Sequence, residues 1–322
     1  MVTVMKKYVF GVDVGGTTVK MGLFDMNANV LEKWEIPSVT ANGGERVLPD
    51  IAASIEEKMG KYEIEQDEVA GVGIGVPGPV DAEGTVYKTA NLGWDTVFNI
   101  PEAFQKHLNV PVMAGNDANV AALGEMWQGG GKGFKDLVVV TLGTGVGGGI
   151  ISNGQMVTGA LGAGGEIGHI HVEDAETEEC GCHNIGCLEQ YASATGIVRL
   201  AKKRLAKDEE ASVLRDRELS AKAVWDAVKF GDKVAIEIAE QFGQYLGKGL
   251  AAVACVVNPK AFVIGGGVSK AGEVIFEYVK PYYMQYAFRG CRDVEFALAK
   301  LGNDAGIFGA AKLVLDEEGK TE

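Results

Sequence analysis

Two glycine-rich hairpins, one near the start of the chain and one near its middle, constrain the fold more than any other feature. The first runs Tyr8-Val-Phe-Gly-Val-Asp13, breaks at Gly15-Gly16-Thr17-Thr18 and resumes as Val19-Lys-Met-Gly-Leu-Phe24. The second runs Leu137-Val-Val-Val-Thr141, turns through Leu142-Gly-Thr-Gly-Val-Gly-Gly-Gly149 and resumes at Ile150. Setting Asp13 on Thr141, 128 positions later, also superposes Gly15 on Gly143. Apolar β-type runs bounded by glycine turns read as hairpins. One unit used twice predicts two related halves, with their turns facing each other across a cleft. Two unrelated hairpins are the plainer alternative.

Helical spacing of apolar residues covers 47–59, 101–108, 120–127, 192–207, 220–230, 233–257 and about 305–315, and strands are expected at 69–76, 110–113 and 261–264. Strands alternating with helices indicate an α/β fold. A chain of 322 residues is long for one core and suggests two domains with a ligand cleft between them. The expected division is 1–115 with a C-terminal helix at 304–322 as a smaller domain, and 116–303 as a larger one.

The formal net charge of −14 repels a phosphate backbone or an anionic membrane surface, so neither is an expected partner. The longest fully apolar run, 250–257, is far short of the ~20 residues that span a bilayer. The start lacks a signal-peptide pattern. A cytoplasmic location is expected.

Asp13-Val-Gly-Gly-Thr-Thr18 offers backbone amides and hydroxyls to a phosphate and a carboxylate to a hydrated magnesium ion. It lacks the Walker A and spaced-glycine forms, and no helix follows it. The glycine density of Gly143–Gly149 calls for a reason, and close approach of a phosphate chain supplies one. A third element, Ile264-Gly-Gly-Gly-Val-Ser269, precedes a helix expected to start near 270–273, whose free amides suit a nucleotide. Asn116-Asp117 follows a short strand, where open α/β sheets place their sites; a carboxylate there can take a hydroxyl proton, or simply cap a helix.

The most specific local signal is Gly165-Glu-Ile-Gly-His169-Ile-His171 followed by Cys180-Gly-Cys182-His183-Asn-Ile-Gly-Cys187. Three thiols and a histidine at this spacing suit tetrahedral zinc with no open position. Spacing does not choose among His169, His171 and His183, the first two of which share a face if the stretch is extended. Glu189 reads by default as a solvated helix carboxylate, and Trp94 in Asn91-Leu-Gly-Trp94 as a packed indole.

Taken in order, these motifs, with Gly-x-Pro-Gly-Pro at Gly75, Cys-Leu-Glu ending at Glu189 and Gly-Asn-Asp-Ala-Gly at Gly302, resemble the ROK family over nearly the whole chain, and within it the glucose-phosphorylating branch. The resemblance implies the actin-like, hexokinase-like ATPase fold. It further implies transfer of a phosphoryl group from ATP to a hexose, glucose first, with Asp117 as catalytic base. Asn91, Asn116, Glu166, His169 and Glu189 would hold the sugar. Asp13 would serve magnesium, and Gly15, Gly16, Thr17, Thr18, Lys20, Thr144, Gly145, Gly147, Gly265, Gly266, Gly267 and Val268 would bind ATP. His169, Cys180, Cys182 and Cys187 would hold structural zinc, although His183 stands where the family pattern has glycine. A homodimer is implied as well. The alternatives are a kinase for N-acetylmannosamine, fructose or allose, and a sugar-sensing regulator, which the twelve residues before Asp13 disfavour because a helix-turn-helix is expected there.

Overall fold

Tyr8–Val14 is buried along nearly all of its length, as a strand inside a sheet covered on both faces must be. The computed structural model describes residues 5–87, 89 and 91–321. Its strands are β1 (Tyr8–Val14), β2 (Thr18–Asp25), β3 (Val30–Pro37), β4 (Val69–Val76), the short pair β5 (Thr85–Val86) and β6 (Phe98–Asn99), β7 (Val112–Asn116), β8 (Leu137–Leu142), β9 (Val146–Ser152), β10 (Gln155–Met156), β11 (Ala261–Gly265) and β12 (Glu295–Leu298). One sheet has the order β3-β2-β1-β4-β7 and the other β10-β9-β8-β11-β12.

The two orders are the same pattern. In each sheet three consecutive antiparallel strands supply two pairings and two parallel strands complete the other side. The expected hairpins are the equivalent pairs β1–β2 and β8–β9, with Asp13 opposite Lys20 and Thr141 opposite Gly147. This repeated arrangement is the actin-like, hexokinase-like fold.

The helix Ala305–Thr321 returns to the first sheet. It lies close because β1 and β4 present glycine to it: a Cβ at Gly11 or Gly73 would collide with the carbonyl oxygens of Ile307 and Ala310. Gly309 and Gly124 similarly admit the helix Asp117–Gln128 against it. The Glu125 carboxylate, 2% exposed, fastens this region by accepting from the Gly130, Lys300 and Leu301 amides at 2.7, 3.0 and 2.8 Å. Glu125→Ala leaves three amides without that acceptor, and chemical denaturation is expected to show a loss of ~3 kcal/mol; a loss within error would show the carboxylate to be dispensable.

The second half is helical on one side. Asp232 caps the long helix Lys233–Val257 by accepting from Ala235 N at 2.9 Å, and the helix ends on left-handed Asn258. Its apolar face joins Trp225, Tyr283 and Phe262 in one core. No helix among the described residues is long and apolar enough to cross a membrane.

Three local expectations need correction. The helix expected over 101–108 is only Ile100–Phe104, started by Asn99 accepting from Glu102 N. After the third glycine element comes a short 3-10 turn, Val268–Ala271, and the α-helix begins later, at Val274. The density of glycine in β9 also has a different cause from the expected phosphate. A Cβ at Gly149 would meet Ala122 Cβ and the Ala118 carbonyl, and one at Gly148 would meet Ile167 and the Gly165 carbonyl at 2.6 Å. These glycines let the Asp117 helix and the Gly165–Ile167 segment press onto the sheet. Gly143, Gly145 and Gly147 are left for the turn and the strand edge beside it.

Candidate active site and metal centre

β1 ends at Val14, placing the Asp13 carboxylate at the turn that follows. There it meets the first turn of the C-terminal helix, where a Cβ on Gly306 would come within 2.5 Å of Asp13 Cγ. Burial pushes its carboxyl up to about 6, against the opposing pull of Lys20, and the charge of Asp117 pushes the same way. Lys20 extends to the Asn303 carbonyl at 3.4 Å, so the Gly302–Gly306 motif and the first turn form one surface. A half-enclosed carboxylate with so little compensating charge fits a hydrated divalent cation.

The raised Asp13 value has a testable consequence. Between the ordinary carboxylate value of 3.8 and about 6, the folded form keeps a proton that the unfolded form has released, so stability falls as pH rises through that window. Asp13→Asn is therefore expected to raise the thermal midpoint of the ligand-free protein at about pH 8, with the difference closing near pH 4. An equal midpoint at both pH values would contradict this burial.

Asp117 opens the helix Asp117–Gln128 directly after β7, and the cap is Asn116, not Asp117. Asn116 Oδ1 accepts from Asn119 N at 3.1 Å, while its Nδ2 reaches the Gly78 carbonyl and Asp117 Oδ1 at 3.0 and 3.1 Å. Ala118 N also donates to Asp117 Oδ1, at 2.8 Å. Burial raises the Asp117 carboxyl, outweighing these hydrogen bonds, and the negative charge of Glu166 adds to the rise. A raised carboxylate is a better proton acceptor at neutral pH.

Glu166, whose charge acts on Asp117, leads on to the remaining candidates. Glu166 Oε2 stands 3.8 Å from His169 Nε2, and His169 Nδ1 stands 3.8 Å from both Cys180 Sγ and Glu189 Oε1. Glu189 accepts from Cys180 Sγ at 2.9 Å and from Val146 N at 3.4 Å, which sets it against the second glycine turn, where a Cβ on Gly145 would meet Oε2 at 2.6 Å. Gly266, with φ +80°, lies against the Leu142 backbone, bringing the third glycine element beside the second. Asn91 packs on Gly16, where a Cβ would come within 3.2 Å. The structure thus brings Asn91 beside the first glycine turn, Asn116 onto Asp117, and Glu166, His169 and Glu189 into one chain of neighbours beside the second turn, with the charge of Asp117 acting on Asp13 and that of Glu166 on Asp117.

One candidate offers less than its motif suggests, and Trp94 is packed as expected. Val268 is buried in the core, so only its backbone can face a ligand. Trp94 is also core, edge-on to Phe98 with its indole N–H on the Gly44 carbonyl at 3.3 Å. Thr17 and Thr144 are exposed.

The ligand atoms of His169, Cys180, Cys182 and Cys187 all lie within 4.8 Å of one another. Cys182 and Cys187 sulfurs are 3.6 Å apart, close to the ~3.8 Å edge of a tetrahedron with Zn–S bonds of ~2.3 Å. The donor set therefore fits zinc. His171 and His183 do not join it. His171 instead bridges the Ile185 carbonyl and Asp174 at 2.9 and 2.8 Å, while His183 takes a left-handed φ of 69° and faces solvent near Glu179.

A cavity of about 670 Å³ opens beside the second turn, lined by Thr144, Thr195, Val198, Arg199, Lys202 and Ala221. The sequence reading missed Arg199, which ion-pairs Glu176 and Glu178 of the cysteine loop at 2.5 and 3.1 Å. Another cavity, of about 840 Å³ and bordered by Met113, Trp127, Lys132, Met156 and Lys312, contains none of the candidate residues.

A family model described as the ROK family matches residues 9–317. Glucokinase of Halalkalibacterium halodurans is 39% identical over 98% of this chain and 97% of its own. A ROK hexokinase from Thermus thermophilus superposes with a TM-score of 0.80 at 31% identity, covering 98% of this chain and all of that one. A ROK family glucokinase from Streptomyces griseus, solved in complex with glucose and AMPPNP, gives a TM-score of 0.72 at 34% identity over 95% of this chain and 98% of its own.

Proposed function

The chain belongs to the ROK family, and from that premise we propose that it is a hexose kinase transferring the γ-phosphoryl group of ATP to glucose, at the 6-hydroxyl. The observation that carries the reading is the placing of Asp117, a carboxylate of raised basicity whose charge is felt by Asp13 on one side and which feels Glu166 on the other. Phosphoryl transfer needs the donor's phosphates and the acceptor hydroxyl held in line, with a proton acceptor at the hydroxyl. The relatives' names support glucose, and the AMPPNP of the Streptomyces griseus complex supports ATP.

In this reading the turns at Gly15–Thr18, Thr144–Gly147 and Gly265–Gly267 present backbone amides to the phosphates. Lys20 adds positive charge next to Asp13. The cavity beside Thr144 receives the base and ribose. Asn91, Asn116, Glu166, His169 and Glu189 hold the sugar hydroxyls, and Asp117 takes the proton of the attacking one. Magnesium, held through water by Asp13, would neutralise charge on the transferring group. Zinc on His169, Cys180, Cys182 and Cys187 would fix the loop from which His169 and Glu189 project.

The sheets suggest a domain division at 1–115 with 304–322, and 116–303, the two parts closing on the substrates. A homodimer in the cytoplasm completes the proposal. The test is a coupled assay of ADP release with magnesium-ATP against glucose, N-acetylmannosamine, fructose and allose. The highest kcat/KM is expected for glucose. Sugar-independent ADP release, or none with any of the four, would refute the reading.

A further inference from the structure

Asn119 is 1% exposed and lies two residues beyond the carboxylate proposed as the base. Its Nδ2 donates to the Gly164 carbonyl at 3.2 Å. Gly164 N in turn donates to the Thr158 carbonyl at 2.7 Å, closing a glycine-rich loop. The next residue, Gly165, has φ +95°, and a Cβ there would come within 3.1 Å of Asn119 Oδ1 and 2.8 Å of the Gly148 carbonyl. Only glycine meets both requirements at that position. Glu166 follows at once. On the helix side, Asn119 N donates to Asn116 Oδ1, and Asn116 Nδ2 donates to Asp117 Oδ1.

A line of contacts therefore runs from Asp117 through Asn116, Asn119 and Gly164 to the segment bearing Glu166. We infer that Asn119 is a positioning residue that sets the separation between Asp117 and Glu166, and so aligns the sugar held at Glu166 with the group that takes its proton. The inference rests on the kinase reading above. Its buried Oδ1 has no hydrogen-bond donor, which costs stability. A leucine of similar size would remove that unpaired acceptor while giving up one hydrogen bond, so a purely structural role predicts little net change on substitution.

The test compares the full-length wild type with Asn119→Leu and Asn119→Asp. Wild-type turnover with glucose establishes the parent reading; if there is none, that reading fails and this one with it. With an active wild type, Asn119→Leu is expected to raise KM for glucose about tenfold, the worth of one buried hydrogen bond, while KM for ATP stays within about twofold. A pH profile adds a readout that loss of stability would not move. Asp117 is faced by Glu166 from the glycine loop and by Asp13 from β1, with Lys20 opposite Asp13. Letting Glu166 drift away removes one of the negative charges that raise Asp117, so the acid limb of kcat/KM should move to lower pH in the leucine variant. Asn119→Asp keeps the shape but cannot donate to Gly164, and it carries the KM comparison if the leucine variant does not fold. Unchanged glucose KM in a folded variant, or equal rises in both KM values with no shift of the acid limb, overturns the inference.

Discussion

Asp117→Ala is expected to lower kcat with glucose by about 10²–10⁴-fold, the ordinary worth of a positioned general base, while the affinity for glucose changes little. The separation follows from the geometry. The sugar is assigned to several groups on different segments, Asn91, Asn116, Glu166, His169 and Glu189, whereas the Asp117 carboxyl is raised by burial and its charge reaches Asp13. The Asn116 cap does not depend on the Asp117 side chain, since it accepts from Asn119 N and donates to the Gly78 carbonyl. The helix should therefore start in the same place in the variant. Asp117→Asn keeps the shape and removes the basicity, and should fall nearly as far. Glucose binding by calorimetry beside steady-state kinetics makes the comparison; a variant retaining more than about a tenth of wild-type kcat would remove Asp117 from the role of base.

The second large effect is expected at the metal cluster. Cys187→Ser, or prolonged chelation, should release one zinc per chain, lower the thermal midpoint and raise KM for glucose together. Binding free energy at a structural zinc site is folding free energy, commonly ~10 kcal/mol or more in small zinc modules. Here the larger domain would survive, because the core around Trp225 and Phe242 does not include the cluster's loop apart from a few residues such as Val172 and Leu188. The loss should therefore be local: His169 and Glu189 are attached to the cluster through Cys180. Cys255→Ser is the control, since Cys255 is exposed and outside the cluster. Metal analysis finding no zinc in the purified protein, with glucose KM indifferent to chelator, would dismiss the site.

The sequence was most legible where one residue type answers to one requirement. The hairpins were readable because β-type apolar runs and glycine turns leave few alternatives, and the long helix was bounded correctly at 233–257. The choice among the three histidines was not readable from spacing, because it turns on tertiary contacts: His171 is engaged by the Ile185 carbonyl and Asp174, and His183 faces solvent. Gly148 and Gly149 were assigned to a ligand when their neighbours are protein, since glycine marks close approach without saying of what. Gly73 of β4 is a glycine of the same kind that the sequence reading passed over: a Cβ there would meet the Ala310 carbonyl of the docked helix. β3 alternates exposed and half-buried residues with charges between them, and β12 has four residues, so neither has the apolar run that marks a buried strand. Asn119 and Arg199 stand in helices where polar residues are ordinary, and nothing short of the tertiary contacts distinguishes them.

The bare backbone stripe left by Gly11 and Gly73 matters for the order of events at the ribosome. Its cover, the helix Ala305–Thr321, follows every strand of the second sheet in chain order, so the first sheet emerges long before the helix that completes its sandwich. A chain lacking that one helix would lose more than a peripheral element: β1 and β4 would be left with an unsealed face, a substrate for chaperones and proteases.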